Sequence, residues 1–147
     1  MKLYLDTCCW SRPCDKQSDP QIYKEAVAII KIINQAQRKG FAIFGSITLE
    51  KEINENSDAE LLVWTSNLYH ETITEHAAYK KDVFDMWEPI AEAAGVKGWD
   101  IYHLCYAVSA RVDYLLTVDK NFVKAAAKLR SGVKVINPLN FPLGGVI

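Results

Sequence analysis

The sequence predicts an α/β protein: a three-layer α/β/α sandwich around a central, mainly parallel sheet of four to five strands. Three observations carry that prediction. Short apolar runs recur along the chain, helix-spaced segments separate them, and two of the runs stop at an aspartate. Strands separated by helices pair in parallel through right-handed crossovers, which leaves helices on both faces of the sheet. At 147 residues, with no repeat, low-complexity tract or Gly/Ser linker, a single domain over 1–147 is expected.

Residues 2–6 read as a short strand ending in Asp6, followed by a turn-rich stretch from Ser11-Arg12-Pro13 to Asp19-Pro20. Over 21–39, Ile22, Ala26, Ile29, Ile30, Ile33 and Ala36 recur at helical spacing, and Gly40 stops the run. Residues 41–47 form a nearly continuous apolar run, short enough for a strand buried on both faces. Thr48 then reads as the N-cap of a helix through Glu50, Glu52 and Ile53, closed by residues 54–57.

Residues 59–94 are helical by propensity and carry no strand signal. Leu61, Leu62, Trp64, Leu68 and Tyr69 give one apolar face, and Val83, Phe84, Trp87, Ile90 and Ala94 another. Pro89 is expected to end or kink the second helix, or to begin a new one. After Gly95 and Gly98, a helix is expected over 99–110, a strand over 113–118 ending at Asp119, a helix over 121–129, and a last strand over 133–136.

Composition narrows the function. Half the residues are apolar and 24% are charged, a balance that excludes disorder. No apolar run approaches the ~18 residues of a membrane span. The start, Met-Lys-Leu-Tyr-Leu-Asp, lacks the apolar core of a signal peptide, so the cytoplasm is the expected compartment. A net charge of −1, from 17 basic and 18 acidic residues, excludes bulk charge as an argument for nucleic-acid binding but leaves room for a local patch. Cysteines 8, 9, 14 and 105 show no C-x-x-C spacing and read as reduced packing thiols, with Cys14 in a polar turn the candidate for exposure. Neither G-x-x-x-x-G-K-[ST], G-x-G-x-x-G nor G-x-S-x-G is present.

In an open parallel sheet, ligands bind beyond the carboxyl ends of the strands, where the strand order reverses. Asp6 and Asp119 stand at two such ends. Asp100 starts the helix that feeds the strand ending at Asp119, and Glu52 lies near the start of the helix after the second strand. Each has a plainer explanation: Asp100 and Asp119 as helix-start residues, Glu52 as one solvated acid among Glu50, Glu52 and Glu55. Asp6 is the hardest to dismiss, because a buried acid needs a partner. Together, four carboxylates on one rim favour function.

Clustered carboxylates repel one another unless a cation neutralises them. An all-oxygen set favours Mg2+ or Mn2+, and such a site can activate water and stabilise charge on a phosphodiester. Thr117 shares a strand face with Asp119, and Thr7 adjoins Asp6, so both are candidate outer hydroxyls. His70, His76 and His103 do not make a metal set; His103, three residues after Asp100 on the same helical face, could orient a carboxylate, but a structural hydrogen bond is the role its sequence context favours. Lys120, Lys124 and Lys128 fall at i, i+4 and i+8, one stripe leaving from Asp119. Such a stripe is usually a solvated face, but its place beside a candidate metal ligand suggests phosphate contact. Arg12 could add a cation, and Trp10 either a stacking ring or a core lid.

Leu3-Tyr-Leu-Asp6-Thr-Cys-Cys-Trp, Ser46-Ile-Thr-Leu-Glu-Lys-Glu52-Ile, Asp100-Ile-Tyr-His103-Leu-Cys-Tyr-Ala and Asp113-Tyr-Leu-Leu-Thr117-Val-Asp119 together resemble the PIN-domain family. That family includes the VapC-type toxins of toxin–antitoxin pairs, and the resemblance runs from Lys2 to about Pro138. It implies a Mg2+- or Mn2+-dependent endoribonuclease, usually a homodimer, silenced by a small cognate antitoxin. The family's acids fall on Asp6, on Glu52 (with Glu50 the alternative), on Asp100 and on Asp119. Its Thr or Ser falls on Thr117, and Ser11 stands where related members often have Asn. The implied metal ligands are Asp6, Asp100 and Asp119, with Glu52 acting directly or through water. Two other readings stand beside this one: a PIN-like scaffold that binds without cutting, and an aspartyl-phosphate protein. The second lacks its usual support, because Asp6-Thr7-Cys8 is not D-x-D and no paired acids precede the strand.

Overall fold

The computed structural model describes residues 1–143. Its five strands are β1 (Lys2–Leu5), β2 (Ala42–Gly45), β3 (Glu75–His76), β4 (Tyr114–Leu116) and β5 (Lys134–Ile136). They form one all-parallel sheet in the order β3-β2-β1-β4-β5. Seven α-helices flank it among the described residues: α1 (Thr7–Ser11), α2 (Pro20–Lys39), α3 (Ile47–Asn54), α4 (Ala59–Thr72), α5 (Lys81–Ala94), α6 (Trp99–Ala110) and α7 (Lys120–Ala126). This is the three-layer α/β/α class that the sequence predicts.

The strand order positions the site. From β1 the chain moves outward through β2 to β3, then returns to β4 on the other side of β1 and continues to β5. The order therefore reverses between β1 and β4, and their carboxyl ends open a crevice there. Leu3↔Tyr114, Tyr4↔Leu115 and Leu5↔Leu116 set the register, and the Asp6 amide adds one more bond, donating to the Leu116 carbonyl at 2.9 Å. Asp6 and the residues after Leu116 are thus brought level. Leu3, Tyr4 and Leu5 are fully buried, as a central strand covered on both faces requires. Burial of each such leucine contributes about 1.5–3 kcal/mol, so apolar packing anchors the strand that carries Asp6.

Several elements depart from the sequence reading. β3 lies inside a stretch expected to be helical throughout. It has two exposed residues and joins the sheet by backbone pairing, Phe44↔Glu75 and Gly45↔His76, so it has no apolar signature. The run over 41–47 splits: β2 ends at Gly45, and Ser46, rather than Thr48, caps α3, its Oγ accepting from the Leu49 amide at 3.1 Å. Residues 7–11, unassigned in the sequence, form α1, started by the Asp6 cap. Pro89 lies within α5 without ending it. The carbonyl of Asp85, which a proline cannot bond, belongs to an exposed residue and is open to water.

Candidate active site

Asp6 leaves β1 at the switch point and is 4% exposed. Its Oδ1 accepts from the Thr7 amide at 2.7 Å, which caps α1, and its Oδ2 accepts from Thr117 Oγ1 at 2.8 Å and from Cys8 Sγ at 3.4 Å. A buried carboxylate so supplied with donors is fixed in orientation. Thr117 is fully buried, and its Oγ1 also accepts from the Asp119 amide at 3.1 Å, tying the two strand-end acids together.

Asp119 is exposed at the rim and caps α7, its Oδ1 accepting from the Asn121 and Phe122 amides at 2.9 and 3.2 Å. The capping role weighed for it in the sequence is therefore real, and it occupies one oxygen. Asp100 is not a cap. Gly98, at φ +58°, holds that position, a left-handed conformation that favours glycine, and Asp100 sits in the first turn of α6. The amino ends of α1, α6 and α7 meet the same cleft, each presenting the positive end of its dipole to the acids.

Glu52 rather than Glu50 lines this cleft. Thr7 Oγ1 donates to Glu52 Oε1 at 2.9 Å, and His103 Nε2 bonds the same oxygen. Thr7 thus serves Glu52 with its hydroxyl and Asp6 with its amide. Glu50, two residues earlier on α3, points elsewhere, to Tyr69 Oη at 2.9 Å and His76 Nε2 at 3.0 Å.

A cleft of about 510 Å³ gathers Asp6, Glu52, Asp100 and Asp119 with Thr7, Cys8, Ser11 and Arg12. Burial pushes the Asp100 carboxyl up to about 7, and the charges of Asp6, Asp119 and Glu52 add to the rise while His103 opposes it. Burial also raises Glu52, but its bond to His103, the charge of that ring and the Thr7 hydroxyl outweigh burial and hold it below the ordinary range. For His103, burial works against the cation. The bond to Glu52 and the charges of Asp6, Glu52 and Asp100 prevail and raise it.

The donor set fits a hard divalent cation. Four carboxylates face a cleft whose single guanidinium, among the described lining residues, is already paired: Arg12 meets Asp15 and buried Glu25, each at 3.4 Å. Asp6, Asp100 and His103 each offer a ligand atom, all within 4.8 Å of one another. The His103 ring is fully buried, with Nδ1 on Tyr4 Oη at 2.7 Å and Nε2 on Glu52, so the carboxylates are the available ligands.

The other sequence candidates divide between those placed as expected and those that are not. Lys120 and Lys124 are exposed on α7, but the helix ends at Ala126, short of the predicted 121–129. Lys128 therefore lies outside it, with Nζ donating to the Ala94 carbonyl at the end of α5 at 3.3 Å, and the three lysines do not make one helical stripe. Trp10 is fully buried, donating from Nε1 to the Leu5 carbonyl at 2.9 Å, which makes it a core residue under the site. Cys14 is half-buried, as is Cys8, which lines the cleft rather than serving only as the packing thiol that the sequence suggests. The Tyr4–His103 bond was not foreseen; its one sequence signal is a histidine three residues after a candidate ligand.

No family model matches the chain, and no curated protein matches its sequence. Among solved structures, a chain of the crystal structure of VapBC2 from Rickettsia felis bound to a DNA fragment from their promoter superposes with a TM-score of 0.66. The alignment covers 93% of this chain and 98% of that one, at 12% identity. Likeness at that identity is likeness of fold: the chain shares the fold of that VapBC2 chain, in keeping with the three-layer PIN-like architecture expected from its sequence.

Proposed function

We propose that the chain is a Mg2+- or Mn2+-dependent endoribonuclease that hydrolyses RNA phosphodiester bonds, working as one PIN-like domain over 1–147. The observation that supports it is the meeting of Asp6, Glu52, Asp100 and Asp119, from four separate segments, in one cleft at the switch point of a parallel sheet. In this reading Asp6, Asp100 and Asp119 hold the ion. When bound, the ion supplies a Lewis acid for the phosphoryl oxygen and lowers the pKa of water. The chain's residues do the positioning. Thr117 and the Thr7 amide fix the two oxygens of Asp6, and Thr7 Oγ1 and His103 fix Oε1 of Glu52. Glu52 Oε2 is assigned to orient the attacking water and take its proton. Lys120 and Lys124, exposed beside Asp119, are assigned to the RNA backbone, with Lys128 farther along and Arg12, a cleft-lining residue already paired with Asp15 and Glu25, in a lesser share.

The biological role we assign is that of the toxin in a type II toxin–antitoxin pair, a cytoplasmic homodimer silenced by a cognate antitoxin. The PIN-like fold and its likeness to a VapBC2 chain support this assignment. Among the described residues no helix is long and apolar enough to cross a membrane. The test is cleavage of a mixed pool of structured RNAs with Mg2+ or Mn2+, with EDTA, and by Asp6→Asn. Discrete products that need the metal and vanish in the variant are expected. Folded protein that retains RNA without metal-dependent products would favour the non-cutting scaffold, and labelling of Asp6 by a phosphate mimic would favour the aspartyl-phosphate reading.

A further inference from the structure

We propose that His103, braced by Tyr4 and Ser46, is a positioning residue that fixes the Glu52 carboxylate in the cleft; the inference rests on the metal-nuclease reading. Four hydrogen bonds close a circuit through three elements. The Leu49 amide donates to Ser46 Oγ, capping α3; Ser46 Oγ meets Tyr4 Oη of β1 at 2.8 Å; Tyr4 Oη meets His103 Nδ1 of α6 at 2.7 Å; and His103 Nε2 returns to Glu52 of α3. Tyr4, Ser46 and His103 are each fully buried.

The direction of the last bond is settled by chemistry. An ionised carboxylate only accepts, so Nε2 carries the proton that Glu52 Oε1 receives, whatever the state of Nδ1. Thr7 Oγ1 donates to that oxygen too, leaving Oε2 without a donor among the described residues. One oxygen of Glu52 is thus committed to the protein and the other to the cleft. A fully buried imidazole needs hydrogen-bond partners whatever its role, so it is the identity of the partners that carries the inference. Here both ring nitrogens are used, one against the central strand and one against an acid of the site, which is how an outer group orients a ligand.

Two replacements separate the two bonds. In His103→Gln the amide nitrogen stands near the place of Nε2 and can still donate to Glu52; in His103→Asn it stands near Nδ1 and cannot reach. Mn2+ affinity by calorimetry, kcat and KM for RNA cleavage, and metal-free thermal unfolding would be measured on the full chain. His103→Asn is expected to lose about 10–100-fold in Mn2+ affinity or kcat with KM for RNA unchanged. His103→Gln should stay within a few-fold of wild type, with both variants similarly destabilised. Equal Mn2+ affinity and kcat in the two variants of an active enzyme would overturn the proposal and leave His103 a core residue. Should His103→Asn fail to fold, imidazole 15N spectra of the wild-type chain carry the test. A protonated Nε2 whose resonance moves in Glu52→Gln supports the assignment, and an unprotonated or indifferent Nε2 overturns it. A wild-type chain that neither binds Mn2+ nor cuts RNA is instead a failure of the nuclease reading, and the spectra still decide whether His103 holds Glu52.

Discussion

Glu50 and Glu52 leave α3 two residues apart and end in different chemistry. Glu52 turns into the cleft at the β1–β4 switch point, where Thr7 and His103 hold it beside Asp6. Glu50 turns to the β2–β3 edge, where it accepts from Tyr69 and meets His76, whose side chain is 62% exposed. Burial and the Glu50 carboxylate both push the Tyr69 hydroxyl up, so it remains a donor. The same residue type is thus a site acid on one side of a helix and a structural acceptor on the other. The helix's rotation and the partners it meets decide which, since residues two apart on a helix do not share a face.

The largest effect that can break this comparison is Asp6→Asn. Several kcal/mol of charge stabilisation pass through a metal site, so cleavage should fall by about 10³-fold or more while circular dichroism stays native. Next comes the pair itself. Glu52→Gln should lower cleavage by about 10²-fold or more, as loss of a general base requires. Glu50→Ala should leave cleavage within about twofold of wild type while lowering stability by about 1 kcal/mol, the worth of one hydrogen bond, measured by urea unfolding. Equal loss of activity in both would erase the distinction drawn here.

Two smaller effects sharpen it. Thr117→Val keeps the shape but removes the donor to Asp6 Oδ2 and the acceptor of the Asp119 amide, and should lower stability by about 1–3 kcal/mol and weaken Mn2+ binding. On the other side, Gly45→Ala would drive a Cβ into the Tyr69 hydroxyl and to within 2.9 Å of Ile73 Cδ1. It should destabilise by about 1–3 kcal/mol without altering the metal affinity of the folded protein. A further effect is a pH trend. Asp100 has its folded pKa raised to about 7, so between the ordinary aspartate value near 4 and about 7 the native state binds more protons than the unfolded one. Stability of the metal-free protein should therefore fall as pH rises through that window, and added Mg2+ should flatten the trend.

The parts legible in the sequence are those where a local pattern and a tertiary need coincide. β1 and β4 were readable because an apolar run stops at, or just before, an acid, and Asp6, Glu52, Asp100 and Asp119 were readable as the acids beyond strand ends or at helix starts. β3 was not, because two exposed residues paired through their backbones leave no pattern. The sequence points to Thr48 rather than Ser46 as the cap of α3 because Ile47, apolar yet 56% exposed, extends the apparent strand. The lysine stripe over-reached because α7 ends at Ala126 with no glycine to mark it. The sequence favours Glu52 with Glu50 as the alternative and offers His103 as a group that could orient a carboxylate, but it settles neither, since the partners that do so come from β1, α1, α4 and α6.

The central claim is that the switch-point acids form one metal-holding cleft, and calorimetric titration of Mn2+ into the purified chain tests it most directly. Saturable binding that disappears in Asp6→Asn and survives in Glu50→Ala is the predicted result. Absence of saturable binding in the folded wild-type protein, or undiminished binding in Asp6→Asn, would contradict it.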